Sequence, residues 1–144
     1  YPKALLSFSI ILKERVEFFD QVAIGNSVNI ILTNENEINI LFNEIELQRM
    51  IDNSISNAIK YSYQNTNILI ELSKTDTNII FQITNYGDTI INIDKLFSKY
   101  YRENEYRGGF GLGLGIIENI CTNNNIKIDV QSKDNKSLFK YIWG

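Results

Sequence analysis

The sequence predicts a two-layer α/β sandwich, with helices on one face of a mostly antiparallel sheet. Three observations carry that expectation. Apolar periodicity runs in the order helix, two strands, helix, two strands, loop, helix, two strands. Polar turns too short for a crossover separate the strands of each pair. The 144 residues are 44% hydrophobic and 22% charged with a single Pro, so one core without an internal linker is expected over residues 1–144.

The elements follow in chain order. Ser7 and Ser9 are both plausible N-caps for a first helix reaching about Ala23. Ile11, Leu12, Val16, Phe19 and Val22 stand there at helical spacing, and Gly25 with Asn26 stops it. Residues 28–33 and 38–42 are rich in β-branched side chains around Asn34-Glu35-Asn36, which predicts two strands joined as a hairpin. From Glu44 to about Tyr61, Leu47, Met50, Ile51, Ile55, Ala58 and Ile59 form one stripe, while Glu46, Arg49, Asn53, Asn57 and Lys60 form another, the pattern of an amphipathic helix. Alternating runs at 67–73 and 78–84 read as an antiparallel hairpin, followed by a loop from Asn85. A short helical piece near 94–97, a third helix over about 112–122 and a strand pair at 126–131 and 137–143 complete the chain.

Composition excludes several functions. No His is present, so no imidazole base, imidazole metal ligand or Ser-His or Cys-His pair operates within this chain. A single Cys, Cys121, forms neither an internal disulfide nor a thiolate zinc cluster, which points to a reducing, cytoplasmic setting. The net charge of −3 has the wrong sign for a dedicated nucleic-acid or anionic-membrane binder. No apolar run reaches the roughly 18–20 residues of a membrane span, and the start Tyr1-Pro2-Lys3 resembles neither an initiator nor a signal peptide. A segment of a longer protein is the expectation.

Five of the 8 glycines fall between Gly108 and Gly115. Glycine lets a backbone approach a ligand, and a glycine-rich turn opening a helix aims free N–H groups at an anion, so residues 109–114 (GFGLGL) suggest a phosphate cradle. A loop before a close-packed helix start is the plainer alternative. The run lacks the Gly-Lys-Ser/Thr ending of a P-loop and the βαβ continuation of a dinucleotide fold. Asn53 and Asn57, at i and i+4 with Lys60 a turn later, present two amides and a cation that suit Mg²⁺ beside phosphate oxygens. With 19 Asn in the chain, a solvated Asn face is the competing reading. Asn85-Tyr86-Gly87-Asp88 has the composition of a turn. Residues 96–102 (LFSKYYR) and Arg107 mix aromatics with cations, either an exposed loop pinned by Phe97 or a lid whose Arg reaches phosphate.

In this order and spacing the four segments resemble the catalytic ATP-binding domain of bacterial two-component sensor histidine kinases, a branch of the Bergerat-fold ATPases. Residues 52–62 (DNSISNAIKYS) resemble its N box, 85–90 (NYGDTI) its G1 box, 96–102 its F box and 109–114 its G2 box. The resemblance implies the Bergerat sandwich with about three helices on one face and a mobile ATP lid. It implies Asn57 as Mg²⁺ ligand, Asn53 as a second polar residue of that box, and Lys60 and Tyr61 as phosphate- and adenine-side contacts. Asn85, Gly87 and Thr89 would form the base-side box, Phe97 would order the lid with the basic Arg102 beside it, and Gly109, Gly111, Leu112, Gly113 and Leu114 would close its end.

Two positions depart from the pattern. Asn85 stands where the family carries Asp, and Thr89 replaces the second glycine of the G1 box. A neutral acceptor in place of a carboxylate is expected to cost on the order of 1 kcal/mol, several-fold in Kd. Asn53 stands where hydrolysing relatives carry Glu, and an amide cannot activate water. The implied activity is therefore transfer of the γ-phosphoryl group of Mg²⁺-ATP to a His on the dimerisation and phosphoacceptor helical domain of the parent kinase, then to a response regulator receiver domain. Nucleic acid and direct membrane contact have no part in it. Two alternatives are a degenerate nucleotide-binding or docking module and a Ser/Thr-directed kinase of the anti-sigma type.

Overall fold

The computed structural model describes residues 2–34, 36–97 and 112–144. The elements run β1 (Ala4–Ser7), α1 (Phe8–Gly25), β2 (Val28–Asn34), β3 (Asn39–Phe42), α2 (Glu44–Tyr61), β4 (Thr66–Lys74), β5 (Ile79–Tyr86), a 3₁₀ turn (Ile93–Lys95), α3 (Leu112–Asn123), β6 (Lys127–Lys133) and β7 (Lys136–Trp143). A five-stranded sheet has the order β2-β4-β5-β7-β6, antiparallel except where β2 lies parallel to β4. The expected sandwich with a mixed, mostly antiparallel sheet is what forms. The expected lid, with Arg102, Arg107, Gly109 and Gly111, lies outside the described residues.

The hairpin expected between 28–33 and 38–42 does not form. β2 instead pairs with β4, setting Ile30 beside Ile68 and Leu32 beside Ile70. β3 pairs antiparallel with β1, a strand too short and too exposed to leave a periodic signal, in a separate two-stranded sheet. Hydrogen bonds at the start of α1 explain the diversion. Phe8 N–H donates to Ile38 O at 2.8 Å. The Ser9 hydroxyl accepts from Ile38 N–H at 2.7 Å and donates to Asn36 O at 3.1 Å. These bonds turn the chain away from β2, so β-branched composition identified the strands but not their partners.

Each helix starts and stops as its residues dictate. Ser7 is the N-cap of α1, its hydroxyl accepting from Ile10 N–H at 3.2 Å. Asn26 closes that helix and Ser27 takes the left-handed conformation at φ 61°. The Asn43 side chain caps α2 by accepting from Glu46 N–H at 3.0 Å. Glu44 and Glu46 in the first turn and Lys60 in the last complement the helix dipole. The Arg15 guanidinium holds the Asp52 carboxylate in a two-pronged bond of 2.8 and 2.9 Å, joining α1 to α2.

The core lies between the helices and the inward face of the large sheet. Phe8, Leu12, Leu47, Met50, Ile51, Ile55, Ile68, Ile70, Phe81 and Tyr141 are fully buried there. Phe8 meets Phe81 and Trp143 at ring-centroid distances of 5.7 and 5.3 Å, and Phe81 stacks on Tyr141 at 5.7 Å. This packing seats α2 over β5 and β7 with its polar edge toward α3. Replacing Ser9 by Ala should leave the buried Ile38 N–H unsatisfied and lower stability by about 1–3 kcal/mol in urea unfolding. A loss below about 0.5 kcal/mol would contradict the proposed clamp.

Candidate functional site

The site begins with the two faces of α2. Leu47, Met50, Ile51, Ile55, Ala58 and Ile59 are buried in the core. Asn53 and Asn57, one turn apart, are left half-buried along the edge that faces α3. The Asn53 side chain donates through Nδ2 to Arg49 O at 2.7 Å, and its oxygen lies toward Gly113 of α3. The Asn57 Nδ2 is buried and has no hydrogen-bond partner.

Gly113, in the first turn of α3, sits directly on these amides. A Cβ there would lie 3.1 Å from Asn53 Oδ1, closer than side chains ordinarily pack, and in ordinary contact with Asn57 Oδ1 at 3.5 Å. Absence of that carbon lets the α3 backbone settle against the amide pair. Leu114, Ile117 and Cys121 are then buried.

Beneath this contact is a cavity of ≈ 20 Å³ between α2, α3 and the sheet. Ala58, Ile83, Leu114 and Phe139 form its apolar walls, and Ser54, Asn57, Asn85 and Tyr141 supply polar groups. Its size suits a water molecule and not a heterocycle, so admitting a base requires α3 to shift. Ser54 Oγ donates to the Tyr141 hydroxyl at 3.3 Å. Burial pushes the Tyr141 phenol well above its ordinary range, so it stays neutral.

Asn85 belongs to β5 and not to the loop expected there, because the strand continues to Tyr86, pairing Asn85 with Ser137. Strand alternation turns Asn85 inward with Phe81 and Ile83, and it is 6% exposed. Gly87 follows where the chain passes the end of α2. Any Cβ at Gly87 would overlap the Tyr61 carbonyl oxygen.

A second device holds this loop. The β6–β7 hairpin turns through Asp134 and Asn135, both at positive φ, as a two-residue connection requires. Asn135 O accepts from Gly87 N–H at 3.0 Å, and Asn135 N–H donates to Thr89 Oγ1 at 2.9 Å. Thr89 Oγ1 donates in turn to Asn135 Oδ1 at 3.2 Å. The Tyr63 hydroxyl donates to Asp88 Oδ1 at 2.7 Å, and that bond raises the phenol's pKa.

Sequence-derived site residues therefore divide. Asn57, Asn85 and Leu114 line the cavity, Asn53 and Gly113 meet beside Asn57, and Gly87 lies against the Tyr61 carbonyl and the Asn85 side chain. Lys60 is exposed, with Nζ 5.2 Å from the half-buried Tyr61 ring centroid, and neither lines the cavity. Thr89 faces Asn135. Phe97 packs against the core, Leu112 opens α3, and Arg102, Gly109 and Gly111 lie outside the described residues. Ser54 and Tyr141 were not singled out from sequence, although inward alternation along β7 could have found Tyr141. Asn135 left no sequence signal beyond turn composition. Among the described residues no group of three or more Cys, Asp and Glu could hold a metal ion. A cation here would depend on amide oxygens and on ligands brought by its partner.

Comparison with known proteins identifies the family and the fold. Residues 42–141 match the family model described as histidine kinase-, DNA gyrase B-, and HSP90-like ATPase. The chain is 38% identical over 100 residues to the sensor protein VanSC of Enterococcus gallinarum, covering 65% of this chain and 27% of that protein. It is 32% identical over 117 residues to the heme sensor protein HssS of Staphylococcus haemolyticus, covering 80% and 26%. The chain thus spans about a quarter of the length of these relatives. The catalytic domain of histidine kinase ThkA superposes with a TM-score of 0.88 at 20% identity, covering 99% of this chain and 95% of that one. Acinetobacter baumannii histidine kinase AdeS gives 0.81 at 20% identity, covering 97% and 66%. Both structures share the fold.

Two measurements check the packing. Gly87→Ala should destabilise the chain by about 1–3 kcal/mol through overlap with the Tyr61 carbonyl; unchanged stability would contradict the close approach. Burial pushes the Cys121 thiol from 9.0 up to about 12. The folded state therefore holds a proton that the unfolded state releases above pH 9, and stability present below that value should decline as pH rises toward 12. At pH 8 a thiol reagent should label Cys121 only after denaturation, and rapid labelling of the native chain would contradict its burial.

Proposed function

For this chain, which belongs to the histidine kinase-, DNA gyrase B-, and HSP90-like ATPase family, we propose that it binds Mg²⁺-ATP between α2 and α3. It then donates the γ-phosphoryl group to a histidine on a helical dimerisation domain of its parent sensor kinase. The observation that carries the reading is the amide pair of Asn53 and Asn57 held under Gly113, above a narrow apolar cavity with Asn85 in its wall.

The residues fit such a ligand. The buried Asn57 nitrogen lacks an acceptor, and leaving a buried donor unmet costs about 1–3 kcal/mol, which an incoming acceptor would relieve. Asn57, with Asn53 beside it, would hold Mg²⁺ through amide oxygen while phosphates and water complete its shell. The bound ion would neutralise charge on the β- and γ-phosphates. Lys60, exposed at the end of α2, is a further positive charge within the same segment.

Transfer rather than hydrolysis follows from what α2 lacks. Asn53 cannot act as a base toward water, so the nucleophile is supplied from outside. An acceptor imidazole nitrogen forms the new N–P bond as the bond from the γ-phosphorus to the β–γ bridging oxygen breaks, releasing ADP. The chain contains no His, so it cannot phosphorylate itself on histidine. The phosphoryl group would pass next to an Asp of a response regulator receiver domain, a partner class represented by the histidine kinase ThkA solved in complex with response regulator protein TrrA. Among the described residues no helix is long and apolar enough to cross a membrane, and a cytoplasmic setting is part of the proposal.

Calorimetric titration with ATP and ADP, with and without Mg²⁺, tests this reading. Binding is expected, with Asn57→Ala weakening the Mg²⁺-dependent part at least about tenfold, on the order of 1.4 kcal/mol. Asn36→Ala, in the β2–β3 connection, should leave it unchanged. No binding at millimolar nucleotide, or equal effects of the two substitutions, would overturn the proposal.

A further inference from the structure

Asn85 is one of four polar residues that line the cavity, with Ser54, Asn57 and Tyr141. The walls formed by Ala58, Ile83, Leu114 and Phe139 are apolar and meet any flat ring alike. No charged side chain lines the cavity among the described residues. Ser54 and Tyr141 carry neutral hydroxyls that both donate and accept, and they are already bonded to each other. That leaves the two amides. Asn57 stands with Asn53 under Gly113, on the side assigned above to phosphate and metal. Asn85 projects inward from β5, and among the described residues nothing hydrogen-bonds its side chain to fix which end faces the cavity.

An amide and a carboxylate read the edge of a purine differently. A 6-aminopurine presents an N–H donor beside the N1 acceptor. A 6-oxopurine presents the reverse, an oxygen acceptor beside an N1–H donor. A carboxylate only accepts, so set against position 6 it pairs with the amino group of the first and opposes the oxygen of the second. An amide carries an acceptor and a donor side by side, and turning about its last side-chain bond matches either edge. Discrimination at a polar edge comes chiefly from leaving a buried group unpaired or opposed, and an amide at position 85 avoids that for both bases.

We propose that Asn85 makes this a purine-nucleotide site that accepts 6-oxopurine as well as 6-aminopurine bases. The inference rests on the nucleotide reading given above. It differs from what a carboxylate at the same place would do, since Asp would restrict the site to the 6-amino edge.

Adenosine and inosine diphosphate differ at this edge alone, so phosphate and Mg²⁺ contributions cancel in their ratio. Titration of the 144-residue chain with each should give dissociation constants within about tenfold of one another. Asn85→Asp should favour adenosine diphosphate by a further tenfold or more on this scale. Asn85→Leu, close in volume and unable to hydrogen-bond, should weaken both nucleotides while leaving their ratio near that of the unaltered chain, and it supplies the comparison should the buried Asp prevent folding. A preference of the unaltered chain for adenosine diphosphate beyond about tenfold would overturn the inference, as would a ratio unmoved in folded Asn85→Asp. Failure of both nucleotides to bind would overturn the nucleotide reading itself, an outcome distinct from binding adenosine diphosphate and rejecting inosine diphosphate.

Discussion

Two glycine backbones lie close against α2, where a Cβ would overlap its neighbour at Gly87 and crowd it at Gly113, and the arrangement of the site depends on that approach. At Gly113 the first turn of α3 rests on the Asn53 and Asn57 amides; at Gly87 the loop after β5 rests on the Tyr61 carbonyl. Each contact replaces a Cβ with a polar neighbour. The cavity walls come from α2, α3 and the sheet strands β5 and β7, segments distant in sequence. The sheet sets the depth of that cavity, because β5 and β7 present Ile83, Asn85, Phe139 and Tyr141 to its interior.

The polar groups around the cavity differ in how firmly they are held. Ser54 and Tyr141 bond to each other, and the Gly87–Thr89 loop is clamped by Asn135 through three hydrogen bonds. The Asn57 nitrogen, by contrast, is buried and unmet. Asn34 Oδ1 and Trp143 Nε1 are buried and unmet as well, but of these three described atoms Asn57 Nδ2 alone belongs to a residue lining the cavity, where a ligand can use it. Thr89, which departs from the glycine of the resembling kinases, belongs to the framework: its hydroxyl joins two loops.

Legibility in the sequence followed the range of the interactions involved. The bounds of α2 were readable as Glu44–Tyr61 because amphipathic spacing and the polar ends are local properties. The strands of the large sheet were readable for the same reason. Pairing was not, since the bonds of Phe8 and Ser9 to Ile38 and Asn36 span nearly thirty residues and send β3 to β1. The inward placement of Asn85 was hidden because Asn-Tyr-Gly-Asp has turn composition, while the ladder to β7 carries the strand on to Tyr86. Asn53, Asn57 and Gly113 could be named as candidates from spacing, but their mutual contact is a matter of helix packing. Asn135 illustrates the limit: its role comes from positive φ and from Thr89 opposite it.

The central claim is that nucleotide is held between α2 and α3 at the ends of the sheet strands where Asn85 lies. A larger cleft of ≈ 330 Å³ exists at the other end of β4 and β5, lined by Thr33, Asn36, Glu71, Lys74 and Gln82 among others. Hydrogen–deuterium exchange of the chain with and without Mg²⁺-ATP separates the two locations directly. Slower exchange confined to residues 53–61, 85–89 and 112–117 is the expected result; slowing confined to residues 33–38 and 71–82 would contradict it.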